Sequence, residues 1–290
     1  DLDGDGDLDA AITCAHLLAG GGWSNLPSLV YLNDGTGMLS DGDRDLGDGG
    51  LSGVALHLLD VDGDGSLDIY VEYYEPDGQA DRVYLNDGAG GFSDSGLLLG
   101  DDEIAWGDPD GDGDLDLLGK RYGEGYLVRR NDGSGRFEEA WRLDDTAAAA
   151  GGMVLVDVDG DGDPDALVGN GNPTRHDQPT LLLINDGRGR FSDGGQTLPP
   201  TSYPSIAVGD LDGDGDLDVY VANADLPDAI WLSDGTTLAD SGIRLVAGVE
   251  GSLATRPSLA DLDGDGDLDV FVGAFRGRAE IWVNQSLPFP

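Results

Sequence analysis

One nine-residue pattern, Asp-x-Asp-Gly-Asp-Gly-x-x-Asp, occurs six times in the chain. Aspartate stands at positions one, three, five and nine of every copy, and glycine stands at positions four and six. Carboxylates at alternate positions of a tight turn point at one centre, and calcium takes about six to eight oxygen ligands. The pattern therefore predicts one calcium ion in each copy, about six in all, with position seven adding its backbone carbonyl. The candidate ligands are Asp1, Asp3, Asp5, Asp7 and Asp9; Asp60, Asp62, Asp64, Ser66 and Asp68; Asp108, Asp110, Asp112, Asp114 and Asp116; Asp157, Asp159, Asp161, Asp163 and Asp165; Asp210, Asp212, Asp214, Asp216 and Asp218; and Asp261, Asp263, Asp265, Asp267 and Asp269.

Other interpretations of these loops fit less well. Zinc prefers cysteine and histidine, and no loop contains either. Magnesium binds reluctantly in all-protein cages, and an EF-hand needs flanking helices and a glutamate at its twelfth position. The copies begin 48 to 59 residues apart, whereas nonapeptide β-helix repeats follow one another directly. A metal-free turn would leave four carboxylates to repel one another.

A second pattern follows each loop at a similar distance. Asn-Asp-Gly-x-Gly begins at Asn33, Asn86, Asn131 and Asn185, and it weakens to Ser-Asp-Gly at Ser233 and to Asn-Gln-Ser at Asn284. Asn-Asp-Gly between two apolar segments predicts a hairpin turn, because these residue types tolerate positive φ.

The second repeat shows how these patterns place strands. Gly53–Leu59 is apolar and precedes the Asp60–Asp68 loop, and Ile69–Tyr73 alternates as a second strand. Arg82–Asn86 predicts a third strand, and a fourth begins near Phe92 after the turn. Four antiparallel strands in about 50 residues are typical of one propeller blade.

The whole chain is therefore predicted to be all-β, a single propeller domain of six or seven four-stranded blades over residues 1–290. The repeats are expected near 1–52, 53–102, 103–151, 152–204, 205–255 and 256–290. The chain opens inside a loop, so the first repeat lacks its first strand, and the last lacks a fourth. Because a propeller must leave no sheet edge open, we expect these ends to complete each other or to be completed from outside this chain, as part of a longer chain or larger complex.

With both patterns in view, the sequence resembles the FG-GAP/VCBS repeat family, which includes the integrin α-subunit propeller. The resemblance covers essentially the whole chain. It implies calcium ligands at Asp60, Asp62, Asp64 and Asp68 and at their equivalents, and a secreted or surface location. One departure is Pro164, where the other five loops carry leucine, and it is expected to loosen packing at the fourth site. The fold hosts adhesion, lectin, lyase and scaffold roles, so the resemblance leaves function open.

Composition excludes several classes of partner. The formal net charge is −43, and Lys120 is the single lysine. Nucleic-acid binding needs a basic surface, and an anionic membrane is disfavoured for the same reason. No apolar run approaches the length of a membrane span. The single Cys14 excludes an internal disulfide. We expect an extracellular, cell-surface or periplasmic protein.

Strand order separates two ends of each predicted blade. The acidic loops and Asn-Asp-Gly turns lie at one end, and the connections between second and third strands lie at the other. Arginine and aromatic residues, which are frequent at interface hot spots, are scarce here but recur in those connections. His57 and Trp106 lie on first strands and are expected to be packed in the core. The candidate partner-binding residues are Trp23, Tyr73, Tyr74, Arg121, Tyr122, Tyr126, Arg175, His176, Arg276 and Arg278.

Three functions remain open from the sequence. The first is a non-enzymatic binding, adhesion or assembly module for a protein or glycan. The second is a polysaccharide-active enzyme, lyase-like, acting at the end opposite the acidic loops. The third is a structural subunit of a larger extracellular assembly, in which a neighbouring chain supplies a strand.

Overall fold

The protein is described by a computed structural model that covers residues 1–13, 15–17, 23–25, 27–40, 46, 53–73, 80–101, 103–145, 151–170, 179–202, 204–224, 226–245, 254–274 and 279–285. Within these residues the chain forms 24 β-strands. No helix among them is long and apolar enough to cross a membrane.

The first repeat forms a three-stranded antiparallel sheet and a small separate hairpin. The sheet has the order β1 (Ala10–Ile12), β4 (Leu29–Asn33) and β5 (Leu39–Ser40). The hairpin pairs β2 (Ala15–Leu17) with β3 (Trp23–Asn25). The segment between the second and third strands of this repeat thus contains a paired hairpin.

The four middle repeats each form a four-stranded sheet in which sequential strands are neighbours. These strands are β6 (Gly53–Leu59), β7 (Asp68–Tyr73), β8 (Asp81–Asn86) and β9 (Phe92–Leu99); β10 (Glu103–Gly107), β11 (Asp116–Arg121), β12 (Gly125–Asn131) and β13 (Phe137–Asp144); β14 (Met153–Val156), β15 (Asp165–Val168), β16 (Pro179–Asn185) and β17 (Phe191–Pro200); and β18 (Ser205–Gly209), β19 (Asp218–Ala222), β20 (Asp228–Ser233) and β21 (Leu238–Leu245).

The last repeat forms a three-stranded sheet within the described residues, of β22 (Ala254–Ala260), β23 (Asp269–Ala274) and β24 (Glu280–Trp282). The described residues form six sheets of three or four strands. Five have an acidic loop between their first two strands, and in the first sheet the acidic loop precedes β1, so the fold is an all-β six-bladed β-propeller. The expected fold class and the strands of the second repeat are confirmed.

Residue type explains the place of each strand in its sheet. Second strands such as β7 and β19 are almost continuous runs of apolar residues, and nearly every residue in them is buried. Fourth strands such as β9 and β13 alternate between exposed and partly buried residues. A strand that is covered on both faces has a continuous run of apolar residues, whereas apolar and polar residues alternate along a strand with one face in solvent.

Two compact units are found in the chain. One comprises Asp1–Asp101, Gly113–Leu115 and Arg130–Glu138, and the other comprises Asp102–Asp112, Asp116–Arg129 and Glu139–Pro290. Inside each unit, consecutive sheets pack through apolar clusters. In the first unit, Val30 packs in one cluster with Ile69, and in the second unit Leu167 packs in another with Trp231.

Candidate metal centres and partner face

The acidic loops bring carboxylate oxygens together. In the second copy, one oxygen each of Asp60, Asp62 and Asp68 lies within 4.8 Å of the others. Positions one, three and nine cluster in the same way in the third, fourth and fifth copies, and positions one, three and five cluster in the first. The trios in those four copies are Asp108, Asp110 and Asp116; Asp157, Asp159 and Asp165; Asp210, Asp212 and Asp218; and Asp1, Asp3 and Asp5.

The carboxylate of the first aspartate accepts hydrogen bonds from backbone N–H groups of its own loop. Asp157 accepts hydrogen bonds from the backbone N–H of Gly160 at 2.8 Å and of Gly162 at 3.0 Å. These glycines have φ of 75° and 94°, a region that side-chain-bearing residues rarely adopt. The invariant glycines therefore let the backbone curl until its N–H groups reach the first carboxylate, which fixes that carboxylate at the cluster.

The ninth aspartate joins the loop to the Asn-Asp-Gly turn. Asp68 begins β7, and its Oδ2 accepts from the Val61 N–H while its Oδ1 accepts from the Asn86 N–H, both at 2.8 Å. Asp165 accepts in the same way from Val158 and Asn185. The same pair of bonds is made by Asp9, Asp218 and Asp269. This side chain is thus both a candidate ligand and a structural link.

Electrostatics in the clusters favour a bound cation. Burial raises the pKa of the Asp165 carboxyl to about 6, and the nearby carboxylates of Asp159 and Asp161 push it in the same direction. Burial also raises the pKa of Asp68 and of Asp218. A positive ion among the carboxylates would oppose these shifts, because an opposite charge favours the ionised form.

The donor set fits a hard cation. Every member of the five clusters named above is a carboxylate oxygen. Asp60 Oδ1 is buried and has no hydrogen-bond partner among the described residues, and a buried charged oxygen is costly unless something compensates it. The clusters can therefore hold a metal ion that prefers oxygen.

The structure also places the side chains at positions five and seven, whose role as ligands stays a prediction. The position-seven side chain is in none of the five clusters named above. It lies over the turn glycine of its own repeat, since a Cβ on Gly35 would come 2.6 Å from Asp7 Oδ2, and one on Gly133 would come 2.7 Å from Asp114 Oδ2. Position five joins the named cluster in the first copy, where Asp5 also accepts from the Asp7 N–H at 2.9 Å. Asp64 accepts the equivalent hydrogen bond from the Ser66 N–H at 2.7 Å in the second copy.

The asparagine of the turn has a role that the sequence did not reveal. Asn131 Nδ2 donates to the Leu115 carbonyl of its own loop at 3.1 Å and to the Val61 carbonyl of the preceding loop at 2.6 Å. Asn86 bridges Leu67 and Leu2 in the same way. The asparagine therefore ties neighbouring acidic loops together. The signal in the sequence was the recurrence of an amide, which has two donors, where a turn also accepts aspartate or glycine.

The fourth loop shows why Pro164 is tolerated. Asn185 Nδ2 donates to the Pro164 carbonyl at 3.0 Å and to the Pro109 carbonyl at 2.7 Å. Proline lacks an N–H but keeps its carbonyl, and the bridge uses only the carbonyl. The fourth site keeps its carboxylate cluster and its asparagine bridge.

The comparisons with known proteins agree with this geometry. A family model described as FG-GAP-like repeat matches residues 1–71, 108–168, 169–221 and 210–272. The chain belongs to the FG-GAP-like repeat family. No curated protein matches it. Among solved structures, SapL1 lectin in complex with alpha methyl fucoside is similar, with a TM-score of 0.52 and 14% identity over 92% of this chain and 91% of that one. At that identity the likeness concerns the fold.

At the end of the FG-GAP blades opposite the acidic loops, two of the predicted partner-binding residues are buried, so these two predictions are wrong. Tyr73 is 4% exposed and shares a hydrogen bond with the Tyr84 hydroxyl, and Tyr126 is 0% exposed and donates to Asn170. Both lie on strands where they pack in the core. Their rings therefore cannot contact a partner.

The β11–β12 turn of the third FG-GAP repeat keeps its predicted side chains accessible. Tyr122 is 43% exposed, and its hydroxyl donates to Glu103 at 3.2 Å. Arg121 Nη1 lies 3.8 Å from Glu124 Oε2. Beneath the turn, the buried Lys120 donates to backbone carbonyls and lies 5.9 Å from the Tyr122 ring centroid. Charged and aromatic groups are thus gathered at the end of this sheet opposite its acidic loop.

The remaining predictions are placed as follows. His57 is half-buried, 2.9 Å from Glu72 and packed on the Tyr70 ring, and Trp106 is half-buried on β10. Trp23 lies on β3, and its side chain is outside the description. The other predicted partner residues lie outside the described residues: Tyr74, Arg175, His176, Arg276 and Arg278.

Proposed function

We propose that this protein is a non-enzymatic glycan-binding module, stiffened by calcium, that works outside the cell, at its surface or in the periplasm. The observation that carries the proposal is the exposed Tyr122 ring, with Arg121 and Glu103 beside it, at the end of the third sheet opposite its acidic loop. A protein ligand at the same place is the alternative.

Calcium is the cation that best suits the clusters. Their named side-chain ligands are carboxylate oxygens on a glycine-rich backbone, and calcium accepts an all-protein oxygen site more readily than magnesium. Extracellular modules bind calcium with Kd of about 10⁻⁴–10⁻³ M. At ten times Kd, one site adds about 1.4 kcal/mol to the stability of the folded state. Six such sites would contribute on the order of 8 kcal/mol, comparable to the net stability of a domain.

A calcium-rich compartment also suits the charge of the chain. The formal net charge of −43 produces self-repulsion in the folded state. Divalent cations at the loops offset part of that charge, which supports an extracellular or periplasmic location.

The exposed Tyr122 ring with Arg121 and Glu103 beside it is suited to binding a glycan. An aromatic ring offers a flat apolar face, and adjacent charged side chains offer hydrogen bonds. The overall likeness to a lectin supports the use of this scaffold for binding, while the residues that would contact a sugar are argued from this chain alone.

The test is binding to a glycan array in calcium, followed by calorimetry on the glycans that bind. Tyr122→Ala should weaken binding by about tenfold or more, equivalent to about 1.4 kcal/mol. Phe271→Ala is the matched control, because Phe271 is an aromatic residue of similar exposure, 40%, on β23. Absence of any bound glycan, equal loss in both variants, or turnover of a polysaccharide would each overturn the proposal.

A further inference from the structure

In four repeats, the turn asparagine holds the acidic loop of the repeat before it. The acceptor is the backbone carbonyl at position two of that loop, between the candidate ligands at positions one and three. Asn86, Asn131, Asn185 and Asn284 each donate from Nδ2 to this carbonyl, at 2.9, 2.6, 2.7 and 2.7 Å. The loops held in this way are the first, the second, the third and the fifth.

The fourth loop is followed by a different turn residue, Ser233. Its Oγ accepts from the Gly235 N–H at 3.1 Å, just as Asn131 Oδ1 accepts from the Gly133 N–H at 3.2 Å. Serine thus replaces the acceptor of the amide, but it has no second group that could donate. In the described part of the chain, the Ser233 hydroxyl makes no hydrogen bond to the Val158 carbonyl, which is at position two of the fourth loop.

The fifth turn nevertheless lies against the fourth loop. The Gly235 carbonyl would be 2.8 Å from a Cβ on Gly160, and the Gly88 carbonyl would be 3.4 Å from a Cβ on Gly4. Gly160 and Gly4 both occupy position four of their loops. The two turns approach the preceding loops at the same place, so the bridge at Ser233 is missing because of residue type and not because of distance.

A second donor is also missing from the fourth loop. The Pro109 carbonyl, at position two of the third loop, accepts from the Gly189 N–H at 2.9 Å in addition to the amide. Thr237 stands in the place of Gly189, and its N–H donates to Asp234 Oδ1 at 2.9 Å. The Thr236 and Thr237 hydroxyls donate to the same oxygen. Among the described residues, the fifth turn is therefore held by its own aspartate and gives the fourth loop neither donor.

A loop that is held from outside stays in the conformation that binds metal. Without an ion, the carboxylates of a loop repel one another, which favours conformations that move them apart. A hydrogen bond to position two opposes that change, because this residue joins the ligands at positions one and three. The apparent affinity falls in proportion to the fraction of protein in the binding-competent conformation. A loop without the bridge should therefore bind its ion more weakly.

We propose that each turn residue sets the calcium affinity of the preceding loop, and that the fourth loop, with Asp157, Asp159 and Asp165, is the first of loops one to five to release its ion as calcium falls. The loss of one hydrogen bond corresponds to about threefold to tenfold in affinity. The other four loops stay loaded over that interval, so the fourth loop is the calcium-responsive one. The inference rests on the calcium assigned in the proposed function and is independent of the glycan.

The first test counts the calcium ions bound to the whole protein by equilibrium dialysis over a series of free calcium concentrations. Asp159→Asn and Asp62→Asn are matched variants, because both remove the charge at position three and keep the Oδ1 that accepts from the position-five N–H. Asp159→Asn should remove one ion from the weak end of the binding curve, and Asp62→Asn should remove one from the tight end. Loss of a tight ion in Asp159→Asn would refute the proposal.

The second test supplies the missing donor. Ser233→Asn should tighten the fourth site about threefold to tenfold, and it should fold because asparagine occupies this place in the other five repeats. Combining it with Asp159→Asn should abolish the gain. The control is Ser134→Asn, the same substitution at an exposed serine that bonds to Asp132 of its own turn, and it should leave the curve unchanged. No gain in Ser233→Asn, or an equal gain in Ser134→Asn, would overturn the proposal.

The reverse substitution tests a loop that has the bridge. Asn86→Ser keeps an acceptor for the Gly88 N–H and removes the donor to the Leu2 carbonyl. It should move at least the ion of the first site from the tight to the weak end of the curve, and an unchanged curve would count against the proposal. Sites of equal affinity in the natural protein would refute this inference alone, whereas a protein that binds no calcium would also refute the calcium assignment. Glycan binding is tested separately by the Tyr122 variant.

Discussion

Asn86 Nδ2 donates a 2.9 Å hydrogen bond to the carbonyl of Leu2, 84 residues earlier in the chain. The same amide donates to Leu67, so one side chain holds the loop of its own repeat and the loop of the repeat before it. Neighbouring acidic loops are therefore linked by hydrogen bonds, and the turn asparagine is as much a part of the scaffold as the aspartates.

The asparagine bridge should contribute measurably to stability. Asn131→Ala leaves the Val61 and Leu115 carbonyls without this donor, and loss of buried hydrogen bonds costs about 1–3 kcal/mol. We expect that decrease in the free energy of unfolding, measured by urea denaturation in calcium. Asn33→Ala is the control, because Asn33 Nδ2 donates to Leu8 in an exposed setting. Equal destabilisation by both variants would contradict the role of the bridge.

Positions three and nine of a loop should respond differently to removal of calcium. Asp62→Asn removes the charge of a candidate ligand and keeps the Oδ1 that accepts from the Asp64 N–H, so it should lower the melting temperature in calcium and leave it nearly unchanged in chelator. Asp68→Asn also disturbs the links to Val61 and Asn86, and it should lower the melting temperature in both conditions. A differential scan of each variant with calcium and with chelator distinguishes the two. Identical melting behaviour of the two variants would show that the ninth aspartate acts through metal alone. An unchanged melting temperature of the natural protein after calcium removal would refute the stabilising role of the ion.

The stability of the metal-free protein should carry a pH dependence from Asp165. Burial raises its pKa to about 6 in the folded state, above the ordinary value of 3.8. The folded state therefore binds more protons than the unfolded state between these values, so this residue destabilises the fold progressively as pH rises from about 4 to 6. In chelator, the stability difference between Asp165→Asn and the natural protein should therefore shift in favour of the variant as the pH rises over that interval, whatever the constant cost of disturbing the links to Val158 and Asn185. A difference that is flat or falls with rising pH would contradict the shift.

Backbone strain should distinguish the loop glycines from ordinary ones. Gly162 has φ of 94° and Gly100 has an ordinary φ, and a Cβ on either would meet nothing within 4 Å. Gly162→Ala should therefore cost about 1–2 kcal/mol through the left-handed conformation alone, whereas Gly100→Ala should be nearly neutral. Urea denaturation in chelator measures this without the contribution of metal. An equal effect of the two substitutions would refute the conformational explanation.

Much of the fold was predictable because its information is local. The alternation of Asp and Gly specifies a curled loop, and runs such as Asp68–Tyr73 specify buried central strands. Asn-Asp-Gly predicts a hairpin through the φ preferences of three adjacent residues. The strands of the second repeat, the blade pattern and the carboxylate clusters all follow from residues within one repeat of each other.

Long-range contacts were decided by the tertiary structure. The sequence predicted that Tyr73 and Tyr126 lie in connections where a partner could bind, yet packing of one sheet on the next buries both rings. The position-seven carboxylates lie over the turn, where the absence of a Cβ on glycine leaves room for them. The amide bridge between loops joins residues 70 or more positions apart, a separation over which spacing in sequence carries no geometric information.

The sequence by itself thus determined the repeating unit: an oxygen-rich loop, a hairpin turn and strands whose burial follows their pattern. Only the tertiary structure decided how one unit meets the next, which aromatic rings stay accessible, and that the turn asparagine of one repeat holds the acidic loop of the repeat before it. The physical reason is that backbone conformation and residue burial within a sheet depend on neighbours in sequence, whereas packing between sheets depends on side chains that meet only once the chain has folded.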